Sequence, residues 1–98
     1  MTRRIRNTSE TIATTNTVIS PSLYGNKRMV LMLTNTSLAG EKISIAVGAE
    51  AVVGQGIVLN QGDKLAMSAD SGYLPPVEQV NAIASAATAT LSVYEETE

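Results

Sequence analysis

Hydrophobic and polar positions alternate along much of this chain with the two-residue period that is typical of β-strands. The clearest case is residues 87–94, in which Ala, Leu and Val at the odd positions alternate with Thr, Ser and Tyr. Residues 43–47 alternate in the same way, with Ile and Val at the odd positions, and Gly48 follows them. Each segment therefore predicts a strand with one face towards a core.

Two further strands are predicted in the first third of the chain. Residues 11–20 are dense in Thr and other β-branched residues, which favour strands, and Pro21 ends the segment. Residues 29–33 (MVLML) form a short, continuous apolar run, which is typical of a strand buried on both faces. A helix is the alternative there, but the run is short and turn-like sequence follows it at once, so we favour a strand.

Residues 51–68 predict a hairpin. Two strands are expected around Ala51–Val53 and Gly56–Leu59, a turn at 60–63, and a further strand over Lys64–Ser68. Residues 78–87 leave two alternatives open. Ala and Glu favour a helix, whereas the spacing of the apolar residues and the Thr-rich sequence that follows favour a strand and a second hairpin, which we rank first.

The pattern as a whole indicates about seven short strands separated by turns, which is typical of an all-β fold. We expect one antiparallel β-sandwich or jelly-roll-like barrel over residues 11–98. Residues 1–10 (MTRRIRNTSE) are polar or basic and show no periodicity, so they predict a flexible N-terminal arm.

The composition indicates that the core of this 98-residue chain is small. The chain has no Trp, no Phe and three Tyr, so aliphatic residues must fill the core, and it has no cysteine to link its strands. Contacts between subunits are a common source of the missing stability in such small domains. We therefore expect a homo-oligomer.

The side chains that most catalytic and metal sites use are lacking. The chain contains neither cysteine nor histidine, which excludes thiolate nucleophiles, zinc sites of the cysteine type and histidine-based triads. Five carboxylates lie singly at predicted strand ends and turns, namely Glu41, Glu50, Asp63, Asp70 and Glu78. The segment Gly54-Gln55-Gly56 lacks the third glycine of a dinucleotide-binding loop. We expect no enzyme activity, no catalytic or metal-binding residues and no cofactor.

The charges are not evenly spread along the chain, although the net charge is only −2, and Glu95, Glu96 and Glu98 lie together near its end. Arg3, Arg4 and Arg6 stand at the start and are candidates for contacts with an acidic partner surface. They are too few, without aromatic residues between them, to predict nucleic-acid binding. No apolar run is long enough for a membrane span and no secretory signal is evident, so we expect synthesis in a cytoplasm and no membrane partner.

A second candidate partner-binding segment is the loop that contains Tyr73, Leu74 and Pro75. An aromatic side chain on a loop stiffened by Gly and Pro loses little entropy when it binds, so Tyr73 is suited to anchor an interface. The alternative is that Tyr73 folds back over the small core.

Three stretches together resemble small virion proteins of bacteriophages: KRMVLMLTNTSLAGEKISIAVG, GQGIVLNQGDKLAMSADSGYLPP and VNAIASAATATLSVYEE. The proteins in question are head decoration (cement) proteins, head-fibre bases and jelly-roll penton-like subunits. The resemblance covers residues 27–96 and rests on strand pattern and turn placement.

The resemblance implies a structural protein on the surface or at the vertices of a virion. Its partners would be the major capsid protein and further copies of itself, and it would reinforce the shell as a decoration protein. A penton-like vertex subunit and a receptor- or glycan-binding module of a fibre are the alternatives.

Overall fold

A computed structural model describes residues 4–22, 27–72 and 75–98. Within these ranges the chain forms eight strands and one turn of 3-10 helix at Ala69–Ser71. The strands are β1 (Arg4–Ile12), β2 (Thr17–Ser20), β3 (Arg28–Asn35), β4 (Ile43–Val47), β5 (Ile57–Leu59), β6 (Lys64–Ser68), β7 (Val80–Ala84) and β8 (Ala89–Thr97).

The strands form two antiparallel sheets of four. Sheet 1 has the order β1-β8-β3-β6 and sheet 2 the order β2-β7-β4-β5. The first strand thus pairs with the last, the second with the seventh, the third with the sixth and the fourth with the fifth. These four pairs form one long antiparallel ribbon that ends in the β4–β5 hairpin. The ribbon is wrapped so that successive pairs belong alternately to sheet 1 and sheet 2. This is the topology of a jelly roll, and it confirms the predicted antiparallel sandwich.

The core lies between the sheets and consists of aliphatic side chains and one methionine, as the composition predicted. Inward positions alternate along each strand because successive side chains of a strand point to opposite faces. The buried cluster comprises Ile12, Ile19, Leu31, Leu33, Ile43, Ile45, Leu59, Met67, Val80, Ala82, Ala84, Ala89, Leu91 and Val93.

Several predicted strands are confirmed. The strands predicted over 43–47 and 64–68 coincide with β4 and β6, and the apolar run 29–33 lies inside β3. The ambiguous segment 78–87 contains β7 rather than a helix. Its apolar residues at positions 80, 82 and 84 are buried together because alternate side chains of a strand share one face, and this face of sheet 2 packs into the core.

Both predicted hairpins are wrong, because the strands on either side of each turn belong to different sheets. β5 pairs with β4 in sheet 2, whereas β6 pairs with β3 in sheet 1. The turn between β5 and β6 is tied to the end of β3 by two backbone hydrogen bonds, from Gly62 N to Asn35 O and from Asn35 N to Asp63 O, both 2.9 Å. β7 and β8 are likewise in opposite sheets.

The strand predicted at Ala51–Val53 is also wrong, because this segment belongs to the loop between β4 and β5. The loop is fastened by hydrogen bonds to side chains of other elements. Ala51 N donates to Asn16 Oδ1 (2.7 Å) and Gly54 N donates to Ser44 Oγ (2.9 Å). These side chains satisfy backbone groups that a neighbouring strand would otherwise satisfy.

The predicted N-terminal arm is wrong for residues 4–10, which belong to β1, and residues 1–3 lie outside the described part of the chain. β1 is paired with β8 residue by residue from Arg4↔Thr97 to Ile12↔Ala89. The inward positions of β1 are Arg6, Thr8 and Glu10 before the chain reaches Ile12. Side chains of β1 therefore alternate between the two faces in the structure, but apolar and polar residues do not alternate in its sequence.

Candidate assembly interface

The two sheets have four edge strands, and three of them carry features that discourage pairing with another chain. β5 has three residues, β2 has four with a register shift between Val18 and Ser20, and β6 has five and begins at the exposed Lys64. Short, bulged or lysine-bearing edges resist strand addition. β1 differs, because it has nine residues that pair with β8 without any register shift.

β1 therefore offers one long, regular edge. Ile5, Asn7, Ser9 and Thr11 point to the outer face of sheet 1, and Ile5 is 60% exposed although it is apolar. Within residues 4–22, 27–72 and 75–98, no strand pairs with the backbone edge of β1 that lies opposite β8. The backbone groups on that side remain able to pair with a further strand.

The outer face of sheet 1 continues this surface across β8 and β3 with short polar side chains. The register places Ser9 beside Ser92, and Ser92 beside Thr34. In the next row, Thr36 and Thr90 share a hydrogen bond of 2.9 Å between their hydroxyl groups. Such a surface suits broad, hydrated contacts between proteins.

The candidate arginines have different surroundings. Arg6 is half-buried: its Nη2 donates to Ile19 O of β2 (3.2 Å), and its Nε lies 3.4 Å from Glu95 Oε1. Arg6 thus links the edges of the two sheets. Arg4 is exposed and has no hydrogen bond or ion pair within the described ranges. Arg3 lies outside the described residues.

Of the three candidate residues in the second loop, the structure describes Pro75. Tyr73 and Leu74 lie outside the described residues, while Pro75 is fully buried and is not available to a partner in the isolated chain. The chain after Pro75 is held inward because Arg28 Nη1 donates to Pro76 O and, at 3.2 Å, to Glu78 O.

A buried ion pair that was not predicted from the sequence organises this end of the sandwich. Arg28 of β3 is 0% exposed, and its Nε lies 2.7 Å from Glu95 Oε2 of β8. Ser20 Oγ, at the end of β2, donates to the same carboxylate oxygen (2.7 Å) and accepts from Arg28 Nη2 (2.9 Å). The sequence did indicate that Glu95 is buried, because Glu95 is the next odd position after the inward-facing odd positions of residues 87–94.

An open groove of about 430 Å³ lies beside this end of sheet 2. We call it the acidic groove, because Glu50 and Glu78 are the ionisable side chains among the described residues that line it. Neither carboxylate has a hydrogen bond or ion pair with any part of the chain that the structure describes. The lining residues are Asn16, Ser22, Gly48, Ala49, Glu50, Glu78, Gln79 and Asn81.

The walls of the acidic groove are held in place by hydrogen bonds. Gly48 N donates to Gln79 O (2.8 Å), and Asn81 Nδ2 donates to Ala49 O (2.6 Å). Gly48 has a φ of +76°, and a side chain there would contact Glu78. The groove is therefore formed before anything binds.

A second cavity, of about 230 Å³, lies at the opposite end of the strands, beside Leu38 and Thr88. Leu38 is 92% exposed, and Thr88 adopts a φ of +71°, which is rare for a β-branched residue. The buried Glu41 accepts hydrogen bonds from Ala39 N and Thr88 Oγ1, both 2.9 Å. Its own backbone N–H, then Thr88 and Ala39, lower the pKa of Glu41, against the opposing effect of burial.

Neither a metal centre nor a membrane helix is found in the described ranges. No three His, Cys, Asp or Glu residues there are grouped as metal ligands. No helix of residues 4–22, 27–72 or 75–98 is long and apolar enough to cross a membrane.

Comparison with known proteins identifies a fold but no family. No protein-family model matches the chain, and no curated protein does. Among solved structures, the chain is similar to a protein of the Bacillus endospore appendages, described as a novel family of disulfide-linked pili. The TM-score is 0.60 and the identity 15%, over 98% of this chain and 83% of the other. This likeness supports the sandwich fold. The present chain has no cysteine with which to form a disulfide.

Proposed function

We propose that this protein is a non-catalytic structural subunit that assembles with copies of itself and stabilises a protein shell, in the manner of a capsid decoration protein. The observation that carries the proposal is the long edge of β1. Nine regularly paired residues with an open outer side favour strand addition from another chain. The other three edges are short, bulged or begin with a lysine.

Two further observations support the proposal. The outer face of sheet 1 extends the β1 edge into a broad surface of hydroxyl and amide side chains, with the partly exposed apolar Met32 among them. The sequence of residues 27–96 resembles small virion proteins. The major capsid protein is the corresponding partner in this proposal.

The first experiment measures the native mass of the purified protein by light scattering after size exclusion. We expect a closed homo-oligomer. Ser9→Lys places a charge on the β1 edge and should shift the protein towards monomer. Ser92→Lys is the matched control, because Ser92 lies beside Ser9 on the same face but in a central strand. If only Ser92→Lys dissociates the oligomer, the face rather than the edge forms the contact.

The shell is tested separately with purified phage particles. We expect the protein to be present in them, and particles without it to rupture at a lower temperature. Particles that lack the protein altogether would rule out the decoration role, and a ring of five subunits would favour the vertex role.

A filament subunit is the second candidate, and the likeness to the appendage protein favours it. An edge that receives a strand from the next copy in one direction generates an open, helical assembly. Electron microscopy of concentrated protein distinguishes the two, because fibres of increasing length support the filament and discrete particles support the closed oligomer.

A further inference from the structure

We infer that the open edge of β1 pairs with the β1 edge of a second copy, antiparallel and with Thr8 opposite Thr8, in a twofold-symmetric dimer. The inference rests on the proposed self-assembly and specifies the partner strand and its register. The pairing joins the two copies of sheet 1 into one continuous sheet of eight strands, four from each copy.

The geometry of an antiparallel ladder limits the registers in which β1 can pair with itself. Residues directly opposite each other are either both hydrogen-bonded to the partner strand or both not, so even positions must lie opposite even positions. The register centred on Thr8 satisfies this condition and pairs all nine residues of β1, with Arg4 of each copy opposite Ile12 of the other. Every other register pairs fewer residues of the strand.

The charges of β1 are complementary in this register, because Arg6 of each copy lies opposite Glu10 of the other. Both are inward positions of the strand. Within one chain the two residues are about 13 Å apart along β1, so they do not reach each other. Glu10 is half-buried and has no hydrogen bond or ion pair with any residue in the described ranges. Opposite charges directly across an antiparallel pair stabilise it.

Arg6 has hydrogen-bond donors left for this contact. Its Nη2 donates to Ile19 O, but its Nε is buried and donates no hydrogen bond, although Glu95 Oε1 lies 3.4 Å away. A guanidinium group has five N–H donors, so a further carboxylate can be accommodated. Glu10 of the second copy supplies that carboxylate.

A second, independent observation indicates the same register. Thr8 Oγ1 is buried and has no hydrogen-bond partner in the part of the chain that the structure describes. Buried polar atoms of folded proteins are nearly always hydrogen-bonded, so this hydroxyl group indicates that a partner is missing from the isolated chain. In the dimer Thr8 lies at the twofold axis, opposite Thr8 of the second copy. Threonines in that arrangement form hydrogen bonds that stabilise the strand pair.

The outer face of β1 is also compatible with this register. Ile5, which is 60% exposed in the single chain, lies opposite Thr11 of the second copy, and Asn7 lies opposite Ser9. The exposed apolar side chain thereby gains a β-branched neighbour, which is a favourable pair across strands. No like charges meet on either face of the paired strands.

The register is tested by cross-linking, for which the lack of cysteine is an advantage because Thr8→Cys introduces a single thiol. In the dimer the two introduced thiols are directly opposite, at a Cα separation of about 5 Å that a disulfide can span. Oxidised glutathione should therefore convert this variant to a covalent dimer on a non-reducing gel. Thr11→Cys is the matched control, because its two thiols would be about 20 Å apart and should remain unlinked.

The charge contact is tested with Glu10→Lys, which should weaken self-association about tenfold, because two attractive pairs become two repulsive ones. Glu50→Lys is the matched control, since it changes the net charge equally at an exposed position outside β1. It should leave association unchanged. Light scattering at several concentrations measures both, and thermal unfolding checks that each variant is folded.

The outcomes separate this inference from the proposed function. If the wild-type protein assembles but Thr8→Cys is cross-linked no faster than Thr11→Cys, or Glu10→Lys acts no differently from Glu50→Lys, the β1–β1 pairing is wrong and self-assembly stands. An assembly with an odd number of chains overturns the pairing in the same way, because a twofold contact uses copies in pairs. If the wild-type protein is monomeric at every concentration, self-assembly itself is overturned, and the inference with it.

Discussion

Arg28 and Glu95 form an ion pair that is almost completely removed from solvent, with 2.7 Å between Arg28 Nε and Glu95 Oε2. The two residues lie on neighbouring strands of sheet 1. Through Ser20 Oγ and the carbonyl groups of Pro76 and Glu78, the pair also reaches the segments that lead out of β2 and into β7. One buried charge pair thus fastens both sheets at the end where the acidic groove lies.

Glu95→Gln is expected to destabilise the fold by about 3–5 kcal/mol, because it leaves the charge of Arg28 buried without its counter-charge. Urea denaturation measures the difference. Glu50→Gln is the control, since Glu50 is exposed and unpaired in the described chain, and it should change the free energy of unfolding by less than about 0.5 kcal/mol. Equal effects of the two substitutions would show that the pair does not hold the sheets together.

Glu41 should make stability depend on pH. Its folded-state pKa is lowered from the ordinary value of 4.5 by hydrogen bonds to the carboxylate, so the folded state favours the ionised form. This stabilisation is present above the ordinary pKa and is lost as the pH falls through the lower, folded-state pKa. The difference in unfolding free energy between wild type and Glu41→Gln should therefore shrink between neutral pH and pH values below 4.5. A constant difference would contradict the assignment.

Gly56 should be the most sensitive glycine in the β4–β5 loop. Its φ is +77°, and a Cβ atom there would lie 2.5 Å from Ile45 O, a backbone atom that cannot move aside. Gly54 has a similar φ of +82° but open space around it, so it provides the control. Gly54→Ala should cost about 1–2 kcal/mol from backbone strain. Gly56→Ala should cost about 1–3 kcal/mol more, because the clash is added. Thermal unfolding of both variants tests this ranking.

Asn35→Ala should also destabilise the fold, by about 1–3 kcal/mol. Asn35 Nδ2 donates to Glu41 O (2.8 Å) and Leu59 O (2.9 Å), and Oδ1 accepts from Ser37 N (3.0 Å). The substitution leaves these buried groups without partners. Asn60→Ala, at an exposed position in the turn between β5 and β6, should have little effect in the same denaturation experiment.

The sequence predicted most strands but not their partners, for a physical reason. Alternation of apolar residues reveals which face of a strand is buried. β4, β6 and β8 carry that signal clearly, whereas the segment that contains β7 was also compatible with a helix. It does not reveal which sheet a strand joins. The turn at 60–63 resembles that of a hairpin, yet Asn35 holds it across to sheet 1. β1 was predicted as an arm because its inward positions are polar until Ile12.

The acidic groove could not be derived from the sequence at all. Its two carboxylates, Glu50 and Glu78, are 28 positions apart in the chain. The segments around residues 16, 22, 49 and 79 come together only through the tertiary fold. Arg4, in contrast, was a candidate from sequence alone, since a cluster of arginines at one end of a weakly charged chain is conspicuous. Glu95 was foreseeable too, because it continues the inward row of β8.

The pairing of β1 with β8 has a consequence for how the protein is made. Sheet 1 remains incomplete until the last strand has left the ribosome, since β1 can find its partner only after residues 89–97 have emerged. Pairings between segments so distant along the chain form slowly. Until then β1 and β3 lack the strand between them. Folding is therefore completed only after synthesis of β8, and the growing chain carries unpaired strand edges throughout its translation.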